Sequence, residues 1–275
     1  MSVGEKPSEV VRWVRAHRIC TDDPASPLTA EDVGVVAETP VTIDVWGVGS
    51  YTTLCTPTDR LAMALGFLLT EGIIDSKADV SDVRPCSGDE NIMRVRLTRR
   101  PSGAGERKSS RLIVSSCGLC GSENIDGKLR GLPVVGDTLR IGAETLRTVS
   151  GALRGNQPLF EASGATHAAE IFDESGKILF CAEDAGRHNA LDKVIGKCML
   201  HDVPSAGRGV MLSSRVSVEI VGKCAKAGIE LIGAVSAPTT LALDVASRCD
   251  ITLCSFVRET RATVFTHPRR VTGIS

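Results

Sequence analysis

The chain of 275 residues carries 32 basic against 33 acidic side chains, a formal net charge of −1, which excludes a global field that recruits nucleic acid or an anionic membrane. With 42% hydrophobic residues it is long enough for one large or two modest domains with real cores, which excludes disorder as a reading of the whole. MSVGEKPSEVVRWVRAHRIC lacks the continuous apolar core of a signal peptide, and no later stretch approaches the ~20 apolar residues of a membrane span, so a soluble, cytoplasmic protein is expected.

In chain order, Val41, Ile43 and Val45 alternate ahead of Gly47-Val48-Gly49, and Tyr51 to Leu54 return, which predicts a hairpin. Pro57-Thr58-Asp59 offers start signals for a helix through RLAMALGFLLTEGII, whose Leu61, Leu65, Leu68 and Leu69 share a face and whose Gly72 lies near the end. Met93, Val95 and Leu97 alternate with Arg94 and Arg96 as in a strand with one wet face, and PSGAGERKSS (101–110) reads as a polar linker loop. After about residue 145 helix and strand alternate. Leu146, Val149 and Leu153 form a helical stripe; 168–172 and 178–182 read as strands; a helix follows through Leu191, Val194, Ile195 and Cys198. Strands at 209–213, 230–236 and 251–257 then enclose helices at 217–227 and 239–248. The order predicts an α/β domain over 145–275, with a smaller α+β domain over 1–144.

RLIVSSCGLCGSENIDG (111–127) runs an apolar strand into two cysteines, each followed by glycine. A structural zinc site generally takes four ligands, and Cys117/Cys120 is the single C-x-x-C, so His167 or His188 would have to complete it. A thioredoxin-like pair needs a helix after its first cysteine, and Gly121 and Gly127 oppose one. Two buried thiols fit poorly in a segment this rich in Gly and Ser. A reactive thiolate on a mobile loop, carrying sulfur between partners, fits the flanking residues best. The other eight of the ten cysteines are scattered singly through apolar segments, as small buried hydrophobes are.

Two further stretches are candidates for holding an anion. In EDAGRHNALDKVIG (183–196), Asp184, Arg187, His188, Asp192 and Lys193 surround Gly186 at a helix entrance, where backbone N–H groups can receive an anion. An ordinary capped helix with solvated charges is the alternative. In FVRETR (256–261), Arg258 and Arg261 can clamp a pyrophosphate while Phe256 packs on a base or on the core; exposed arginines and a core Phe are the alternative.

With LGFLLTEGII (65–74), SSCGLCG (115–121), GATHAAEIF (164–172), EDAGRHNALDKVIG (183–196), SRVSVEIVGKCAKAGIEL (214–231) and SAPTTLALDVA (236–246) in order, the sequence resembles the FdhD family, the formate dehydrogenase accessory sulfurtransferases, from about Thr39 to Thr266. The resemblance implies a cytoplasmic, homodimeric sulfur carrier. Such a protein receives sulfane sulfur from a cysteine desulfurase and passes it to the molybdenum or tungsten bis(molybdopterin guanine dinucleotide) cofactor of formate dehydrogenase, bound as acceptor. It also implies a cytidine-deaminase-like C-terminal domain, and a site for the guanine dinucleotide at Phe256, Val257, Arg258, Glu259, Thr260 and Arg261, with Arg187 and His188 nearby. The chain departs from the family pattern at Thr58-Asp59-Arg60-Leu61, Ala165, Ser214 and the charged Glu170. Zinc deaminases use H-x-E and a later P-C-x-x-C; here His167-Ala-Ala-Glu170 is one residue too long and the C-x-x-C comes first, so no tightly bound metal is expected. Cys117 is expected to bear a persulfide and Cys120 to assist exchange. A cofactor-binding chaperone that carries no sulfur, and a metal-dependent hydrolase or redox enzyme, are the alternatives of different class.

Overall fold

The structure is a computed structural model that describes residues 10–22, 28–99, 111–113, 129 and 131–273. Cys117 and Cys120, and the 101–110 linker, lie outside the described residues. The chain begins with a two-stranded antiparallel ribbon, β1 (Val11–Arg18) and β2 (Thr29–Val36). A five-stranded mixed sheet follows, ordered β5-β6-β3-β4-β7, from β3 (Thr39–Val45), β4 (Gly49–Cys55), β5 (Val80–Cys86), β6 (Asp89–Leu97) and β7 (Arg111–Ile113). The expected hairpin is β3–β4, and Val41, Ile43 and Val45 point inward because alternate residues of a strand share a face. That face is covered by α1 (Arg60–Thr70), whose Leu65 and Leu68 are buried against it.

The start and end of α1 differ from expectation. Asp59 does not cap it: its backbone is left-handed (φ 52) and its side chain makes no cap bond, because the carboxylate pairs with Lys197 at 2.8 Å instead. The helix stops at Thr70 rather than running to Ile74, since Gly72 takes φ +68 and turns the chain.

β8 (Ile141–Gly142) leads into α2 (Ala143–Gly155) and a short α3 (Pro158–Ser163) that sequence periodicity did not reveal. A six-stranded sheet is then built from β9 (His167–Phe172), β10 (Ile178–Asp184), β11 (Gly209–Leu212), β12 (Leu231–Ala234), β13 (Thr252–Ser255) and β14 (Thr263–Thr266), in the order β10-β9-β11-β12-β13-β14. β11, β12 and β13 are parallel, joined by crossover helices α5 (Val218–Lys226) and α6 (Thr240–Arg248); β9 and β14 run against them. α4 (Arg187–Leu200) connects β10 to β11. α4, α5 and α6 bury Leu191, Val194, Ile220, Val221, Val245 and Ala246 on one face of the sheet. α2 buries Leu146, Val149 and Leu153 on the other. Residues 131–142 pack on this sheet too: Glu230 accepts from the backbone N–H of Thr138 (2.8 Å) and Leu139 (2.7 Å), and β8 pairs with β15 (Val271–Thr272).

The two sheets are joined through helices. α1 lies between the five-stranded sheet and α4, and the crossing is close because Gly66 and Gly196 stand at it: a Cβ on either would come within 1.8 Å of a backbone carbonyl of the other helix. No helix among the described residues is long and apolar enough to cross a membrane.

Candidate functional site

β10, β11, β12 and β13 all end at the same edge of the six-stranded sheet, and α4, α5 and α6 all begin there. Ligands of α/β sheets bind beyond the carboxyl ends of parallel strands, where helix N-termini present positive dipole ends. The side chains at this edge suit an anion. Arg187 opens α4, Arg215 follows β11, and Arg258 follows β13. The Nη1 of Arg258 donates to the carbonyls of Val235 (2.5 Å) and Val257 (2.8 Å), which anchors its guanidinium across the ends of β12 and β13. Beside these ends lies a cavity of about 420 Å³ whose lining includes His167, Ser213, Val235, Arg154 and Phe160. Ser213 Oγ accepts from Ala168 N–H at 2.9 Å and so fixes the start of β9 next to it. Half-burial, then the charges of Arg187 and Arg215, hold His167 below the usual histidine range, so it is neutral at neutral pH.

The expected residues divide between this edge and the interior. In the 256–261 stretch, Phe256 adopts left-handed φ 53 and is exposed, its ring 6.3 Å from Phe265. Val257 is core. Arg258 is half-buried, while Glu259, Thr260 and Arg261 are exposed; Glu259 reaches Arg154 at 3.4 Å. The 183–196 block is reordered more strongly. Asp184 turns its own carboxylate onto the entrance of α4, accepting from Gly186 N–H (2.8 Å) and Asn189 Nδ2 (3.0 Å). Lys193 lies 2.7 Å from Asp184 with both side chains fully buried, and Asp192 pairs with Lys223 at 2.8 Å. These charges are neither solvated nor available to an outside anion, because Asp184 and Lys193 take each other up and Lys223, distant in sequence, takes up Asp192. Arg187 stays half-buried at the edge and His188 is buried.

Sequence reasoning missed Arg154, Ser213 and Arg215 here. The usable signal was position: Ser213 and Arg215 directly follow an expected parallel strand. His167 and Glu170 do not form a joint site, since residues three apart on a strand face opposite sides. Glu170 is buried with Asn156 Nδ2 donating to it at 2.6 Å. Of the described cysteines, Cys55, Cys198, Cys224, Cys249 and Cys254 are buried, Cys86 and Cys181 are half-buried, and Cys20 is exposed. Burial pushes the thiols of Cys55, Cys181, Cys198 and Cys254 up to about 12, which keeps them protonated and poorly nucleophilic. No group of three or more His, Cys, Asp or Glu placed to hold a metal occurs among the described residues.

Residues 36–272 match the FdhD/NarQ family. The chain belongs to the FdhD/NarQ family. It is 39% identical over 240 residues to the sulfur carrier protein FdhD of Bordetella petrii, covering 86% of each chain. It is 37% identical over 268 residues to that of Xanthomonas campestris pv. campestris, covering 97% of this chain and 93% of the relative. A crystal structure from Desulfotalea psychrophila, described as that of a formate dehydrogenase accessory protein, shares the fold with a TM-score of 0.76 at 22% identity, over 95% of this chain and 99% of that one. The six blocks quoted above all fall within the region matched to the FdhD/NarQ family.

Proposed function

We propose that this FdhD/NarQ chain is a sulfur carrier that takes sulfane sulfur from a cysteine desulfurase onto Cys117 and delivers it to a molybdenum or tungsten bis(molybdopterin guanine dinucleotide) held, as substrate, at the cationic edge. The observation that carries the reading is where the cysteine pair is rooted. β7 ends at Ile113 opposite Thr53 of β4, and β4 runs to Cys55, beside the entrance of α4. Three residues, and so four Cα-to-Cα steps, separate Ile113 from Cys117, a reach of at most ~14 Å. The order β10-β9-β11-β12-β13 also supports a cytidine-deaminase-like reading of the C-terminal sheet. Assembly as a homodimer belongs to the same reading.

Loading is thiol exchange: the Cys117 thiolate attacks the outer sulfur of the desulfurase persulfide, the S–S bond breaks, and the desulfurase leaves as thiolate. Delivery as sulfide needs two electrons, which Cys120 supplies. Its thiolate attacks the inner sulfur of Cys117, a Cys117–Cys120 disulfide forms, hydrosulfide leaves, and a dithiol reductant must then restore the pair. At the edge Arg258 and Arg187 face the diphosphate charge, and neutral His167 can donate or accept one hydrogen bond.

The reading is tested by mass spectrometry after incubation with a desulfurase and cysteine. The wild-type chain gains one sulfur atom, Cys117→Ala gains none and fails to activate formate dehydrogenase, and Cys120→Ala loads but delivers poorly. Full activation by both variants would replace the sulfur-carrier reading with the chaperone that carries no sulfur.

A further inference from the structure

Delivery depends on alignment, because effective molarity falls steeply when reacting groups are misplaced. The root of the cysteine loop and the cationic edge come from different halves of the chain, so something must hold them in one geometry. β4, the neighbour of β7, ends at Cys55, and the next residue, Thr56, is fully buried. Its N–H donates to Asp184 Oδ2 at 3.0 Å, its hydroxyl accepts from Ala185 N–H at 3.1 Å, and its carbonyl accepts from Lys193 Nζ at 2.9 Å. Lys193 also donates to Thr58 Oγ1 (2.9 Å) and to the Glu183 carbonyl (3.2 Å). Asn189 Nδ2 donates both to Asp184 Oδ1 (3.0 Å) and to the Leu54 carbonyl (2.8 Å). The network therefore joins the last residues of β4 to the first turn of α4, the turn that carries Arg187 and His188.

Stability alone does not account for such a pair. Replacing a buried ion pair by apolar side chains of similar volume is often neutral or stabilising, and the α1–α4 crossing already holds the halves together by apolar packing. What apolar contact cannot supply is direction: the hydrogen bonds fix the distance and angle between strand end and helix start. We propose that Asp184 and Lys193, with Thr56 and Asn189, are positioning residues for sulfur transfer, setting the start of α4 against the strand end beside which the cysteine loop is rooted. This assignment rests on the sulfur-carrier reading above.

The test uses the full chain and three readouts: sulfur loading of Cys117 by mass, GDP affinity, and the single-turnover rate of sulfur delivery to the cofactor. Asn189→Ala removes two hydrogen bonds and leaves the ion pair; Asp184→Leu with Lys193→Met removes the pair without leaving a lone buried charge. Positioning predicts unchanged loading and an unchanged folded fraction in both, with delivery slowed about tenfold or more. A role in folding alone would lower all three readouts together with the folded fraction, and that outcome overturns the assignment. Delivery at the wild-type rate in both variants overturns it equally. A wild-type chain that takes no sulfur on Cys117 sinks the carrier reading itself and the positioning role with it, an outcome visible before any variant is made.

Discussion

Glu170 works against the fold at neutral pH. It is fully buried on β9, with Asn156 donating to Oε1; burial raises its carboxyl above the ordinary 4.5. The folded chain then binds this proton more tightly than the unfolded chain, so Glu170's contribution is fully present below about pH 4.5 and is lost as pH rises through the raised value. Glu170→Gln is expected to raise Tm near neutral pH, and the gain should vanish near about pH 4, as thermal unfolding at several pH values will show. His167, on the same strand, has the opposite sign. Its folded value lies below 6.5, so its contribution is present above that pH and is lost as pH falls from 6.5 through the folded value. At the candidate site, Arg258→Ala should weaken GDP binding by about 1.5–3 kcal/mol, the range of a charge-assisted contact. Exposed Arg261 should matter far less. Isothermal titration distinguishes the two. Arg258 and Arg187 were legible as candidates because a charged side chain declares its chemistry. The fates of Asp184, Asp192 and Lys193 were not: Asp184 and Lys193 pair with each other nine residues apart, and what buries them and Asp192 is Thr56, Thr70 and Lys223, far away in sequence.

Among the elements, α1 and α4 have the most exacting relationship. Gly66 faces the Asp192 carbonyl and Gly196 faces that of Ala62, each so near that a Cβ would lie 1.8 Å from the oxygen. Helices with larger residues at the contact stand roughly 8–10 Å apart, so a methyl group here must push the axes apart. That shift would also strain the buried Lys223–Asp192–Thr70 cluster, where Lys223 Nζ lies 2.8 Å from Asp192 and 2.9 Å from Thr70 Oγ1. Gly196→Ala is expected to cost about 3 kcal/mol or more, the upper end of overpacking, against a gain of about 0.5–1 kcal/mol from Gly→Ala at exposed Gly151 of α2, where nothing lies within 4 Å. Denaturant melts of the two variants provide the comparison. Periodicity located both helices and most strands of the larger sheet because their apolar stripes are long. It missed α3, which buries no residue, and the β1–β2 ribbon, whose Trp13, Val33 and Val35 are exposed and so do not mark an inner face. The close approach of α1 and α4 left only two glycines in otherwise good helix-forming runs, which do not identify what they face.

On the scale of the whole molecule, the two sheets behave as one unit if the α1–α4 crossing dominates. One face of the five-stranded sheet is covered by α1, which is shared with α4: Met199 of α4 belongs to the same apolar cluster as Leu65, Phe67 and Leu68 of α1. Two buried ion pairs flank the crossing, Asp184–Lys193 towards the start of α1 through Thr56 and Thr58, and Asp192–Lys223 towards its end through Thr70 and Glu71. Pulling the halves apart would expose fully buried charges, Lys193 and Asp192 among them, and the backbone contact of Gly66 and Gly196. Separation would also strip the apolar cover from Leu65, Leu68 and Met199 and break the hydrogen bonds that Leu54, Thr56, Thr58 and Thr70 make to the other half, so a state with one half folded and the other unfolded is unfavourable. Thermal unfolding of the full chain is therefore expected as a single transition, with calorimetric and van't Hoff enthalpies in agreement and, in a Trp13→Phe variant, with fluorescence of Trp46, in the turn between β3 and β4, melting together with far-ultraviolet dichroism dominated by the α/β half. The buried pairs are shielded from salt, so raising ionic strength should leave that transition single. Two resolved transitions, with Trp46 melting first, would instead assign the smaller sheet an independent stability.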